Sequence, residues 1–132
     1  MSLKYKLTEI KEEIGMKELA IIIKPEKLEM VKSIIESKGC GGMTISSVMG
    51  CGTQKGNISE DAVNQIKGFK TNINLLPKIR VEVVVQDEKV EDIIIDIRGK
   101  VGTDHVGDGK IFIRNIEEVV RIRTGERGNR AL

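Results

Sequence analysis

Residues 18–39 read ELAIIIKPEKLEMVKSIIESKG, and this stretch decides the fold of the chain. Its first part, 18–24, is an almost continuous apolar run of the kind found in buried strands. Pro25 then opens a helix, because its missing N–H costs nothing in a first turn. Gly39 closes that helix, since glycine accepts the positive φ of a helix C-terminus. The apolar face of the helix is formed by Leu28, Val31, Ile34 and Ile35.

The sequence beyond this stretch continues the alternation of strands and helices. Strands are predicted at 43–49 (MTISSVM), 79–85 (IRVEVVV), 110–115 (KIFIRN) and 118–123 (EVVRIR). A second helix is predicted over 87–98, with the side chain of Asp87 as its N-terminal cap. The order βαββαβ predicts an α+β fold with the split-βαβ, ferredoxin-like arrangement.

Composition narrows the class of protein. The 132 residues suit one domain, and 20 Ile and 12 Val against 7 Leu favour a sheet core. A net charge of +2 and three aromatic residues disfavour nucleic-acid binding, which uses basic surfaces and stacking platforms. No apolar run approaches the roughly 20 residues of a membrane helix, and no secretory h-region is present. We expect a cytoplasmic protein that binds no nucleic acid and does not insert into membranes.

Two segments lie outside the alternating pattern. Residues 1–15 carry apolar side chains at helical spacing, which predicts a short amphipathic N-terminal extension ahead of a domain spanning 16–132. Residues between Gly52 and Pro77 show no strand pattern. Loops longer than about 12–15 residues are uncommon in compact domains and are usually functional or disordered. We therefore expect the long loop, about 53–77, to face a partner.

The strongest local signal for a binding site is the sequence Gly107-Asp108-Gly109-Lys110 before a strand. Two glycines let backbone N–H groups approach a ligand closely, and the lysine adds a positive charge, which suits a phosphate chain. It is not a Walker A loop, because the spacing differs and no Ser or Thr follows the lysine. For this tetrapeptide alone, a plain tight turn is the alternative.

Two arginines point to the same kind of ligand. Arg121 and Arg123 lie two residues apart in a predicted strand and therefore project from the same face. Two guanidinium groups on one face repel each other unless an anion lies between them, and arginine binds phosphate oxygens well. The alternative is a solvated strand face paired with Glu117 or Glu118.

A third patch is GCGTQKG at 50–56, where the long loop begins. Its GxGxxxG spacing and the lack of a following helix argue against a dinucleotide fingerprint. A glycine-rich hinge fits better, in which Gln54 offers an amide oxygen to a cation and Lys55 an amine to an anion. Lys78 and Glu82 return to this region from the other end of the loop if the flanking strands pair.

Three further observations receive an ordinary interpretation. His105 is the only histidine and is taken as a loop residue rather than a catalytic base. Cys51 is taken as a small buried thiol rather than a redox-active one, and with Cys40 it forms neither a CxxC pair nor a disulfide framework. No cluster of His, Cys and Asp has the spacing of a metal site.

With the long loop, GDGK and RIRTGE in this order, the chain resembles the PII signal-transduction proteins. The matching stretches are IIIKPEKLEMVKSIIE, GMTISSVMGCGTQKG, LLPKIRVEVVV, VGDGKIFI and EEVVRIRTGERG. They cover nearly all of 16–128 apart from the long loop and part of the second helix. The resemblance implies a homotrimer of ferredoxin-like subunits, with ATP or ADP in the clefts between them. It also implies that the long loop corresponds to the family's T-loop, which docks on target proteins.

The resemblance further implies roles for matching positions. The phosphates would be held at Gly107, Asp108, Gly109, Lys110, Arg121 and Arg123. The base would lie near Met43 and Thr44, and the γ-phosphate near Glu82. Binding of 2-oxoglutarate with MgATP would use Gln54, Lys55, Gly56 and Lys78, with the Gln54 oxygen on Mg²⁺.

The chain also departs from the family pattern. Thr53 stands where the family usually has an arginine, which removes a phosphate-contacting cation. The loop is longer than usual and contains no tyrosine, because Tyr5 is the only one in the chain, so modification of a loop tyrosine is excluded. Thr103-Asp104-His105 replaces a more basic stretch and lowers the positive charge beside the phosphates.

These features favour a regulator rather than an enzyme. Expected targets are an ammonium transporter, a nitrogen-assimilation enzyme or a nitrogenase-type protein. Two alternatives stay open: a slow ATPase that uses Lys110 and the arginines, and an adenylate-sensing regulator of a target outside nitrogen metabolism. A structural or metal-binding trimer on the same fold is the least favoured, because no His/Cys cluster is present.

Overall fold

The computed structural model describes residues 15–51 and 75–132. Its four strands are β1 (Met16–Ile23), β2 (Thr44–Cys51), β3 (Leu75–Gln86) and β4 (Gly109–Ile116). Its two helices are α1 (Leu28–Ser37) and α2 (Val90–Val101). Turns of 3-10 helix precede the two helices at Pro25–Lys27 and Asp87–Lys89, and a further one lies at Gly128–Ala131. The predicted order βαββαβ is confirmed.

The four strands form one antiparallel sheet in the order β2-β3-β1-β4. In this register Glu82 of β3 lies opposite Thr44 on one side and Ala20 on the other, and Ala20 lies opposite Phe112 of β4. The two strands that flank the long loop, β2 and β3, therefore pair with each other as expected.

One face of the sheet is covered by the two helices. Alternate residues of β1 and β3 point to this face and pack against the apolar faces of α1 and α2. The buried core consists of Leu19, Ile21, Ile23, Val31, Ile34, Ile35, Val81, Val83, Val85, Val90, Ile93, Ile97 and Val101. β-Branched residues dominate this core, as the composition predicted.

Of the two helix ends that the sequence predicted, the C-terminal end of α1 at Gly39 is confirmed and the N-terminal cap of α2 at Asp87 is not. Gly39 adopts a φ of +78°, and the N–H of Cys40 donates to the carbonyl of Ile35 at 3.3 Å, so the predicted helix end is confirmed. The predicted cap at Asp87 is wrong. Asp87 opens a 3-10 turn with no side-chain cap, and its carboxylate instead accepts a 2.8 Å hydrogen bond from Lys17.

The last predicted strand, 118–123, is also wrong. In the described part of the chain this segment makes only an isolated bridge between Val120 and Arg127, at the base of a turn. The Ile122 side chain in that turn is 100% exposed. A second difference is that β3 begins at Leu75, so 75–77 lie in a strand rather than in the loop.

The outer strands of the sheet leave apolar side chains uncovered. Ile45 and Met49 of β2 are exposed, as are Phe112 and Ile113 of β4. Exposed apolar surface on edge strands is typical of an interaction surface. Neither helix of the described residues is long and apolar enough to cross a membrane.

Candidate functional site

The glycine turn at 107–110 connects the segment after α2 to β4. Gly107 and Gly109 adopt φ angles of +97° and +119°, which side chains disfavour. A Cβ atom at Gly109 would collide with the backbone carbonyl oxygen of Ile22 on β1. The second glycine is therefore required by close packing of the turn onto the sheet, and the tight-turn geometry is present.

The turn is held from one side by Thr103. The backbone N–H of Thr103 donates to one carboxylate oxygen of Asp108 at 2.6 Å, and the Thr103 hydroxyl donates to the other. These hydrogen bonds, the hydroxyl first and the N–H next, hold the pKa of Asp108 below its usual value. The carboxylate is thus occupied by neighbours within its own loop.

The turn is held from the other side by Lys78 of β3. Its Nζ donates a 2.8 Å hydrogen bond to the carbonyl oxygen of Gly107. The two residues border a cavity of about 330 Å³ that also includes Gly50, Gly109 and Lys110. We call this first group of residues the turn cluster. It combines two amines with a glycine turn, which suits an anionic ligand.

A second group of predicted site residues lies elsewhere on the chain. Thr44 and Glu82 are opposite each other on β2 and β3 and line a cavity of about 650 Å³ with Gly41 and Gly42. Glu82 accepts a 2.7 Å hydrogen bond from Nε of Arg80. Met43, just before β2, is half-buried and packs against the core.

Arg121 belongs with this second group. One of its nitrogens donates to Glu126 at 3.3 Å and another to the backbone carbonyl of Leu132 at 3.1 Å, and Leu132 lines the same cavity. Arg123 lies exposed in the turn that follows. Because 118–123 is not a strand, the argument that the two arginines share a strand face does not hold. We call Gly41, Gly42, Thr44, Glu82 and Arg121 the tail cluster.

The two clusters are separate places on one chain. Of the residues described, none lines both cavities. Thr44 and Gly50, which mark the two cavities along β2, are about 20 Å apart at the usual rise of an extended strand. The structure therefore brings Lys78, Gly107, Gly109 and Lys110 together. Separately it brings Thr44 and Glu82 together, and Arg121 is linked to their cavity through the carbonyl of Leu132.

Other predicted residues have different outcomes. Thr53, Gln54, Lys55 and Gly56, the rest of the long loop to residue 74, and the N-terminal extension up to residue 14 lie outside the described residues. Cys51 is exposed, so its interpretation as a buried thiol is wrong. In 15–51 and 75–132, no group of three or more His, Cys, Asp or Glu side chains is placed to hold a metal ion.

Sequence reasoning missed two residues that hold site residues in place. Thr103 ties down Asp108, and Glu126 pairs with Arg121. In both pairs the two residues are five positions apart in the sequence. A polar residue five positions from a candidate site residue, across a turn, was therefore the sequence signal that could have identified them. Ile22 was also missed as the contact surface for Gly109, because that contact depends on strand register.

Comparison with known proteins points to one family. The family model described as nitrogen regulatory protein P-II matches residues 16–126. The chain is 49% identical to nitrogen regulatory protein P-II 2 of Methanothermobacter thermautotrophicus over 119 residues, which covers 90% of this chain and 99% of that protein. It is 44% identical to nitrogen regulatory protein P-II of Rhizobium meliloti over 113 residues, covering 86% and 96%.

Solved structures agree with these sequence matches. The fold matches that of B. subtilis GlnK with a TM-score of 0.71 at 32% identity, covering 89% of this chain and 99% of the other. The B. subtilis GlnK–ATP complex matches with a TM-score of 0.71 at 30% identity, covering 89% and 96%. From the extent of the family match and the near-complete coverage of its relatives, we conclude that the chain belongs to the nitrogen regulatory protein P-II family.

Proposed function

We propose that this protein is a cytoplasmic regulator that binds ATP or ADP between the subunits of a homotrimer. Proteins of this family are trimeric regulators, and one similar protein has been solved as an ATP complex. The observation that carries the proposal is the division of the site: the two cavities share no lining residue, and Thr44 and Gly50, which mark them along β2, are about 20 Å apart. A neighbouring subunit completes each of them.

The chemistry of the two clusters suits the two ends of a nucleotide. Lys78 and Lys110 at the glycine turn supply positive charge and backbone donors for phosphates. Arg121 of the neighbouring subunit adds a guanidinium, which binds phosphate oxygens in a forked geometry. Thr44, beside Gly41 and Gly42, supplies a hydroxyl next to an open cavity that accommodates the base. Asp108 takes no part in this contact, because Thr103 occupies its carboxylate.

The long loop, which ends where β3 begins at Leu75, is the part of the protein that we expect to contact a target. Lys78 continues β3 from the end of this loop and holds the carbonyl of Gly107. A ligand that binds the Lys78 amine and removes it from the Gly107 carbonyl, such as the carboxylate of 2-oxoglutarate, would change the conformation of the loop and of the phosphate-binding turn together. Mg²⁺, held with ATP by Gln54, would neutralise phosphate charge. The target in this proposal is an ammonium transporter, a nitrogen-assimilation enzyme or a nitrogenase-type protein.

The test is calorimetric titration of ATP with Mg²⁺, with and without 2-oxoglutarate. We expect saturable binding at one site per chain, tightened by 2-oxoglutarate. ATP binding whose affinity is unchanged by 2-oxoglutarate would instead support an adenylate sensor with a different target. The absence of any nucleotide binding would overturn the proposal.

A slow ATPase is the second candidate, and the same samples test it. Glu82 was the one candidate in the sequence for positioning an attacking water, and it is already bonded to Arg80 at 2.7 Å. We therefore expect no phosphate release above the rate of free ATP hydrolysis. Steady release that Glu82→Gln abolishes would support the enzyme instead.

A further inference from the structure

The Asp108 carboxylate lies in the middle of the turn that we assign to phosphates. A negative charge at this position repels a polyanion, so a carboxylate facing the ligand would weaken binding. The side chain instead turns back to Thr103, five residues earlier, and accepts both its hydroxyl and its N–H. The residue therefore serves the turn through Thr103 rather than through the ligand.

We propose that Thr103 is a positioning residue for nucleotide binding: it holds Asp108 away from the ligand and fixes the backbone donors of Gly107 and Gly109. This inference rests on the proposed function and deepens it. It assigns to Thr103 a role that concerns the shape of the turn, since Thr103 itself lines neither the turn cavity nor the tail cavity.

The first support is the conformation of the turn. Gly107 and Gly109 both have positive φ angles, and Asp104 has a φ of +61°, which is uncommon for a residue with a side chain. The two glycines adopt positive φ readily, but Asp104 does so against the preference of a residue with a side chain, so the turn needs support at this point. The hydrogen bonds that Thr103 donates to Asp108 close this segment into a loop and select that conformation.

The second support is that the other contacts of the turn act on different atoms. Lys78 holds only the carbonyl of Gly107, and β1 pairs with β4 from Gly109 onward. The Thr103–Asp108 pair spans the turn from 103 to 108, and the N–H of Asp104 also donates to Asp108, so this carboxylate is tied to the start of the turn.

The test compares three variants in titrations with ATP. Thr103→Val keeps the shape of the side chain but removes the hydroxyl, and we expect the dissociation constant to rise about tenfold, the usual effect of one hydrogen bond to a charged group. Thr103→Ser keeps the hydroxyl, and we expect it to bind like the unaltered protein. Ser33→Ala, which removes an exposed hydroxyl from α1, is the matched control and should change nothing.

Asp108→Ala separates this role from a simple effect of charge. Alanine accepts from neither of the two Thr103 donors, so the positioning role predicts weaker ATP binding. A charge effect predicts tighter binding, because a negative charge next to the phosphates is lost. Amide hydrogen exchange gives a second measure: Thr103→Val should speed exchange at Gly107 and Gly109 and leave the core strands unchanged.

The outcomes distinguish this inference from the proposed function. If the unaltered protein binds ATP and Thr103→Val binds it equally well, the positioning role is wrong and the proposed function stands. Tighter binding by Asp108→Ala also contradicts the positioning role. If the unaltered protein does not bind ATP, the proposed function fails and the positioning role fails with it.

Discussion

At the scale of single residues, the site depends on side chains that hold other side chains. Asp108 is held by Thr103, Arg121 by Glu126, and the carbonyl of Gly107 by Lys78. The glycines, lysine and arginines could be predicted from the sequence, because their residue types alone suggest phosphate binding. The holding contacts could not, because Thr and Glu are common near turns and only the folded geometry pairs them.

The titration of Asp108 is a prediction at this scale. Its pKa lies below the usual value in the folded protein, chiefly because the Thr103 hydroxyl and then the Thr103 N–H donate to it; the Lys24 charge and the Asp104 N–H act in the same direction. A lowered pKa stabilises the folded turn above the ordinary carboxyl pKa, and this contribution is lost as the pH falls through the lowered value. We expect Thr103→Val to move the pKa of Asp108 upward.

Carbon NMR of the Asp108 carboxyl group during an acid titration measures this shift. Asp96 on α2 provides an internal reference, because its lowered pKa comes from its hydrogen bond with Lys38, a contact that Thr103→Val leaves in place. An unchanged pKa of Asp108 in Thr103→Val would mean that the hydroxyl is not the main cause of the shift.

At the scale of secondary structure, the order of elements could be read from local patterns. Apolar runs and helical spacing are properties of short segments, so β1, α1, β2, β3, α2 and β4 were all predicted. The strand at 118–123 failed because an alternating pattern needs a neighbouring strand, and the described residues give this segment only an isolated bridge between Val120 and Arg127. The split of the site into two clusters depends on the register of β2 with β3, which no local pattern specifies.

Replacing isoleucine by alanine should affect the free energy of unfolding differently on the buried and the exposed face of α2. Ile93 is 0% exposed and packs in the core, whereas Ile95 on the same helix is 63% exposed. Ile93→Ala should lower the free energy of unfolding by about 2–5 kcal/mol, because it removes buried methyl groups and leaves a cavity. Ile95→Ala should change it by less than about 0.5 kcal/mol.

Urea unfolding at equal protein concentration measures both effects, since assembly makes stability depend on concentration. Similar losses for the two variants would mean that the exposed face of α2 is covered in the assembled protein.

At the scale of the whole molecule, the uncovered surfaces and the divided site have one explanation. The edge strands β2 and β4 expose Ile45, Met49, Phe112 and Ile113, and Ile122 is fully exposed in its turn. Assembly of three copies would cover apolar surface and bring the turn cluster of one chain to the tail cluster of the next. Closed symmetry gives every junction the same pair of clusters.

Mixing two defective variants tests this account most directly. Lys110→Ala damages the turn cluster and Arg121→Ala damages the tail cluster, so each variant alone should bind ATP weakly at every site. Among all trimers assembled at random from equal amounts of the two variants, about one junction in four joins the intact turn cluster of one variant to the intact tail cluster of the other. Titration of the mixture should therefore recover tight binding at about a quarter of the sites. Recovery of no tight sites, with both variants folded and assembled, would place the whole site within one chain and contradict the account.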